Sequence, residues 1–225
     1  MLSTEELLCF ECRQMKLFKN YFNKISAAKM EIELKDKSYL PVWYEEAQNK
    51  YKRMHYNNPQ ERMNKTITGL FGEVAVSLFL KHFGALLNLP EKKQPVIKHD
   101  FGDIRFTYNG KDLIANVSSR YLPKELLNQF LLHPEHFAAL IPVDQLGQYL
   151  HADCSFYTFL FREENTYTAE ILIAGFLWKR DLIYLMTKGY LKKIKKGKSF
   201  TGFFGDSPNK VPMYTDNIVI PVKFL

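Results

Sequence analysis

Apolar residues in the first half of this chain repeat at helical spacing, and the rhythm changes to strict alternation after residue 103. Ile67, Leu70, Phe71, Val74, Ala75, Leu78 and Phe79 mark one side of a helix, because residues three and four apart share a face. Gly69, Val76 and Leu80 occupy the other side, so the helix is apolar nearly all round and is expected at the centre of the fold. It is predicted over 59–83, opened by Asn58-Pro59 and closed by Gly84. Earlier, Ser3-Thr4-Glu5-Glu6 reads as a helix start, predicting a helix over 4–25 that extends toward Met30. A second helical stretch is predicted over 42–56, after Pro41.

From Asp103 onward the period is two. Ile104, Phe106 and Tyr108 alternate with Arg105 and Thr107, and Asn109-Gly110 is a two-residue hairpin signal. The return strand is predicted over 111–119, with Asn116 and Ser118 on one face and Ala115 and Val117 on the other. Further on the pattern predicts a helix over 122–130, a short strand over 136–141, and an antiparallel pair over 155–161 and 168–176. A helix over 178–188 and a last strand over 217–224 complete the reading. Long strands interleaved with helices point to an α/β fold. We expect a restriction-endonuclease-like central mixed β-sheet flanked by helices, with a helical region over 1–43 and one domain over 44–225.

Composition adds charge to this picture. The 225 residues carry a formal net charge of +7, with a pI near 9.1. Such a surplus favours polyanionic partners, nucleic acid first. The three cysteines, Cys9, Cys12 and Cys154, form no disulfide framework, and no apolar run is long enough to span a bilayer. With no basic-then-apolar leader, the expectation is a cytoplasmic protein without a membrane partner. No phosphate-binding Gly-rich loop and no Gly-x-Ser-x-Gly elbow occurs.

The candidate chemistry sits around the hairpin. Glu73 is the sole ionisable residue between Gly69 and Leu80, and a carboxylate on an apolar helix needs a partner or a cation. Asp100 and Asp103 flank the mouth of the first hairpin strand, where either offers a hard oxygen ligand. The stretches Gly69-Leu-Phe-Gly-Glu73, His99-Asp-Phe-Gly-Asp103 and Asn116-Val-Ser-Ser-Arg120 together resemble the PD-(D/E)XK nuclease superfamily. Its small phage and plasmid members carry a Gly-x-x-Gly-Glu helix, an acid-bearing strand and a strand with an acid-x-Lys motif. Cys154–Arg162, Ile173-Ala-Gly175 and the Tyr190–Gly197 loop continue the likeness.

That resemblance implies Mg²⁺ or Mn²⁺ held by Glu73, Asp100, Asp103 and position 116, with DNA phosphodiester hydrolysis as the activity. It also exposes a departure, because Asn116 stands for the second acid and Ser118 for the lysine. Arg120 or Lys98 is then the candidate displaced cation. Three outcomes stay open: a non-cleaving DNA binder, a metal-dependent endonuclease, or a protein-interaction module on the same fold. Lys192, Lys193, Lys195, Lys196 and Lys198, edged by Tyr190 and Phe200, form the candidate phosphate-contacting loop. A second basic stretch runs through Lys50, Lys52, Arg53, Arg62 and Lys65. The N-terminal helices are the expected surface for a homodimer or protein partner. His133, His136, His151 and Asp153, beside Cys154, are a weaker zinc candidate.

Overall fold

The computed structural model describes residues 3–18, 27–51, 58–89, 103–162, 166–200, 202–204 and 212–225. The chain opens with helix α1 (Thr4–Leu8) and strands β1 (Phe10–Phe18) and β2 (Ala27–Leu34), followed by helices α2 (Leu40–Tyr51) and α3 (Pro59–His82). Strands β3 (Leu86–Leu87), β4 (Ile104–Tyr108) and β5 (Lys111–Pro123) come next, then α4 (Leu126–Leu132), β6 (Ala138–Pro142) and α5 (Leu146–His151). The rest is β7 (Cys154–Arg162), β8 (Thr168–Trp178), α6 (Lys179–Thr187), β9 (Lys192–Ile194) and β10 (Asn217–Pro221).

Seven strands form one mixed sheet in the order β1-β2-β8-β7-β5-β4-β3, flanked by helices. All its pairs are antiparallel except β5 with β7, and that parallel pair requires the crossover that α4, β6 and α5 supply. A second, three-stranded sheet has the order β6-β10-β9. The fold is therefore α/β with two sheets, where the sequence predicted one.

Strand β7 is buried at all nine positions, as a central strand covered on both faces must be. Phe156 and Leu160 enter a core with Phe71, Val74 and Ala75 of α3. Tyr157, Phe159 and Phe161 enter the opposite core with residues of α4, α5 and α6. Helix α3 lies close to the sheet because of Gly72. A Cβ there would sit 1.7 Å from Ser119 Oγ and 2.9 Å from Thr158 Oγ1. The hairpin turn has the expected chemistry, with Asn109 at φ 50° and Gly110 at φ 72°, both left-handed as a type I′ turn requires.

The N-terminal expectation is overturned. Among the described residues of the helix expected over 4–25, Thr4–Leu8 alone is helical, and β1 and β2 extend the large sheet beyond β8. Ala28, Met30, Ile32 and Leu34 point inward while Lys29, Glu31 and Glu33 lie less buried, a period of two. Cross-strand pairs join Lys29 to Glu170 at 2.6 Å and Arg13 to Glu33, holding charged side chains on a sheet rather than on a helix face. The helix expected over 122–130 begins later, at Leu126, because β5 continues to Pro123 in register with β7. Among the described residues no helix is long and apolar enough to cross a membrane.

Candidate functional site

Asp103 closes the open end of the β4–β5 hairpin. Its backbone N–H donates to Ala115 O at 2.9 Å, and its Oδ2 accepts from the Val117 N–H at 2.6 Å. A charge-assisted bond of this length is among the stronger kinds, so the carboxylate fixes β5 where Asn116 and Ser118 stand. Asn116 is only 6% exposed. The Ser118 hydroxyl donates to Leu140 O at 3.5 Å, which ties β5 to β6 weakly. Helix α5 lays Tyr149 across this spot.

Burial pushes the Tyr149 phenol up to about 12; Ser118 and Asn116 pull it back by hydrogen bonding, while the Asp103 charge raises it. Burial first, and the Tyr149 neighbour second, hold the Tyr157 phenol well above its ordinary value. Among the described residues no group meets Tyr157 Oη in hydrogen-bonding geometry, although the Ser155 hydroxyl is near enough to favour the phenolate slightly. Both phenols are thus neutral at ordinary pH, and a neutral phenol donates and accepts hydrogen bonds but is no base or nucleophile. Asp153 is also occupied, its Oδ2 accepting from the Ile114 N–H at 2.9 Å.

The structure therefore brings together Asp103, Asn116 and Ser118 of the expected set, with Tyr149 as an unforeseen fourth member. Glu73 rides on α3, which packs against the opposite face of β5 through Gly72 and Ser119, and its Oε2 is buried. One turn along, Ser77 is also buried, its Oγ without a hydrogen-bond partner among the described residues. Asp100 and Lys98 fall outside the described residues. Arg120 turns toward Phe200 and Gly202, its Nη2 donating to Phe200 O at 3.3 Å and Gly202 packing against its Nε and Cδ. Among the described residues no three of His, Cys, Asp and Glu lie together as a metal site would need. That includes His133 and His136, whose rings stack at 5.3 Å on either side of Glu135.

The lysine run presents a different environment. Lys192 and Lys193 lie on β9, and Lys195, Lys196 and Lys198 lie on the turn after it, all exposed. Asp216 organises that turn. Its Oδ2 pairs with Lys193 Nζ at 2.8 Å and its Oδ1 accepts from the Lys196 N–H at 2.9 Å. These two partners, Lys193 first, hold its carboxyl below the usual range. Gly197, at φ 82°, donates to Met213 O at 2.9 Å. Lys192, Lys195, Lys196 and Lys198 have no ion-pair partner among the described residues.

Of the two edging aromatics, Tyr190 is exposed as expected. Phe200 is buried with Ala138, Leu140 and Val219, so it anchors the turn rather than facing a ligand. The second basic stretch is less coherent. Arg62 donates to Gln48, Lys65 lies close enough to Arg120 for the like charges to oppose each other, and Lys52, Arg53 and the Lys50 side chain fall outside the described residues.

A cleft of about 610 Å³ opens between α2 and α3, lined by Leu40, Tyr44, Met63, Asn64, Arg162 and Tyr167 among others, and none of the expected site residues lines it. Sequence reasoning missed Tyr149 and Asp216. Neither carries a local signal, since Tyr149 acts through the crossover and Asp216 through a partner 20 residues away. No family model matches this chain, and no curated protein or solved structure does so significantly.

Proposed function

We propose that this protein binds DNA on a nuclease-like α/β scaffold of the PD-(D/E)XK kind, through the β9–β10 edge, without cleaving it. The observation that carries the reading is the lysine turn: four exposed lysines with no ion-pair partner among the described residues, on a backbone braced by Asp216. A preformed cationic edge meets phosphates without first giving up an internal partner, and it releases counterions when it does so. The scaffold reading is supported by order along the chain: α3 with Glu73, β4 opened by Asp103, then β5 with Asn116 and Ser118.

The same resemblance implies Mg²⁺ or Mn²⁺ in an active member. Among the described residues, the groups gathered around Tyr149 are one carboxylate, one amide, one hydroxyl and a neutral phenol. Hard divalent cations take six or more oxygen ligands, and charge strengthens the site. A set with a single anion fits such an ion poorly, and no hydrolytic step is assigned to these residues. Metal-dependent cleavage is the second reading, favoured by the buried carboxylate oxygen of Glu73 on α3.

The test is a salt titration of duplex binding by fluorescence anisotropy, comparing the protein with a variant carrying Lys192→Gln, Lys195→Gln, Lys196→Gln and Lys198→Gln. Binding should weaken, and the slope of log affinity against log salt should flatten by about 3 to 4, at roughly 0.9 for each phosphate no longer neutralised. An unchanged slope, or a wild-type protein that binds no DNA, overturns the proposal.

A further inference from the structure

We infer that Tyr184, Tyr190 and Phe224 form a stacking surface for single-stranded DNA beside the lysine turn, an inference that rests on the DNA-binding reading and names the form of DNA bound. Helix α6 buries Leu182 and Leu185 and leaves Tyr184 on its outer side, 54% exposed. Gly189, at φ 71°, reverses the chain, and the Tyr190 N–H donates to Leu185 O at 3.0 Å. That bond holds Tyr190 beside the helix end, where it is 53% exposed. Ring centroids lie 6.3 Å apart from Tyr184 to Tyr190 and 6.2 Å from Tyr190 to Phe224. The three rings thus form a continuous row across α6 and the segment after β10, with Tyr184 and Tyr190 exposed and Phe224 half-buried against the core at its end.

Cations accompany the row. Lys188 Nζ lies 6.0 Å from the Tyr184 centroid and Lys223 Nζ 5.2 Å from that of Phe224. From Leu182 to Phe200 the chain has six lysines and no acidic residue. Tyr190 leads directly into β9, whose far end opens into the lysine turn. At about 3.3 Å per residue in a strand, Tyr190 and Lys196 lie up to about 20 Å apart, a span of several nucleotides.

Two exposed rings, Tyr184 and Tyr190, backed by the half-buried Phe224 and flanked by lysines, match the chemistry of an unpaired strand. Lysines meet its phosphates, and the rings meet base faces, which stack on aromatic side chains whatever the sequence. In a duplex the base faces are already stacked on one another. It would use the lysines alone and gain nothing from Tyr184 and Tyr190.

The experiment measures anisotropy of fluorescein-labelled oligo(dT) and of a hairpin duplex with the same number of phosphates. It compares the protein with Tyr184→Ala/Tyr190→Ala, with Tyr184→Phe/Tyr190→Phe, and with the four-lysine variant described above. Thermal melting of each variant checks that it folds. The alanine pair should lose roughly tenfold or more on oligo(dT) for each ring removed, with duplex affinity and salt slope kept. The phenylalanine pair should bind oligo(dT) as the wild type does. Oligo(dT) binding that ignores the rings, alongside lysine-dependent duplex binding, overturns the stacking surface and leaves the DNA-binding reading standing. Equal losses by the alanine pair on both ligands also overturn it. If the wild type binds neither ligand, both proposals fall.

Discussion

On β5 the candidate side chains turn inward, and on β9 they turn outward. Asn116 is buried and Ser118 half-buried beside Tyr149 and Leu140, with the half-buried Asp103 accepting from the Val117 N–H. Lys192, Lys195, Lys196 and Lys198 stand in solvent on a braced turn. The difference follows from what each place can hold. A lysine at 118 would surrender its hydration to a phenol and a carbonyl, and burial disfavours the charged form. An amide and a hydroxyl satisfy the same space at no ionic cost. In water the balance reverses, and lysines keep their charge and their reach. The proposed binding at the edge rests on this contrast, a single carboxylate among uncharged polar groups at one place and a set of solvated cations at the other.

The strongest way to break this contrast is to charge the enclosed centre. A variant with Asn116→Asp and Ser118→Lys restores the acid-x-Lys pattern. Two charges then enter a partly buried space beside Tyr149, and we expect folding stability to fall by about 1 to 4 kcal/mol in urea denaturation, with no Mg²⁺-dependent nicking of plasmid DNA. If stability holds and Mg²⁺ supports nicking, the centre is a dormant metal site and the second reading replaces the first.

The elements that bear on this contrast were unequally legible. Helix α3 was readable because Asn58-Pro59 and Gly84 bracket an apolar repeat, and the β4–β5 hairpin because Asn109-Gly110 leaves little alternative. Gly72 signalled close approach, and Ser119 is what it approaches. Strands β1 and β2 were obscured by a good helix start at Ser3, whose capping box with Glu6 is real but serves only five residues. Tyr149 was illegible, because nothing in Leu146-Gly-Gln-Tyr149 marks it and only the crossover to β7 carries α5 over β5. Tyr190 and Phe200 look alike in sequence. They separate only when β9 pairs with β10 and turns one ring out and the other in.

A second probe of the enclosed centre is alkaline titration. The Tyr149 phenol is raised from 10.0 to about 12 and the Cys154 thiol from 9.0 to about 12, both chiefly by burial. A raised value means that the folded state holds its proton more tightly than the unfolded chain. Stability is then full below about pH 8, and it declines as pH rises through 9 for the thiol and 10 for the phenol toward 12. Tyr149→Phe should cost about 1 kcal/mol at neutral pH through the hydrogen bonds with Asn116 and Ser118. It should also remove about 1.4 kcal/mol of the alkaline loss at pH 11, one unit above the unfolded tyrosine value, at 1.36 kcal/mol per pKa unit. Denaturation curves at pH 7, 9 and 11 read both effects. An alkaline slope unaltered by Tyr149→Phe would place the phenol in contact with water and open the centre.

The smallest expected effect lies at the edge, in Asp216→Asn. The substitution keeps an oxygen to accept from the Lys196 N–H and removes the charge that engages Lys193. Because the Asp216 carboxyl is held below its usual range, its stabilising charge is present at neutral pH and lost as pH falls through that lowered value. The variant mimics the protonated state at any pH. With Lys193 released, duplex affinity at low salt should rise about two- to threefold and the salt slope should steepen by up to about 0.9, the share of one further neutralised phosphate. A weaker affinity instead would mean that the ion pair, and not the backbone bonds to Asp216 and Met213, shapes the turn. The edge would then resemble the enclosed centre in needing an internal partner for its charge, and the contrast between the two regions would narrow to exposure alone.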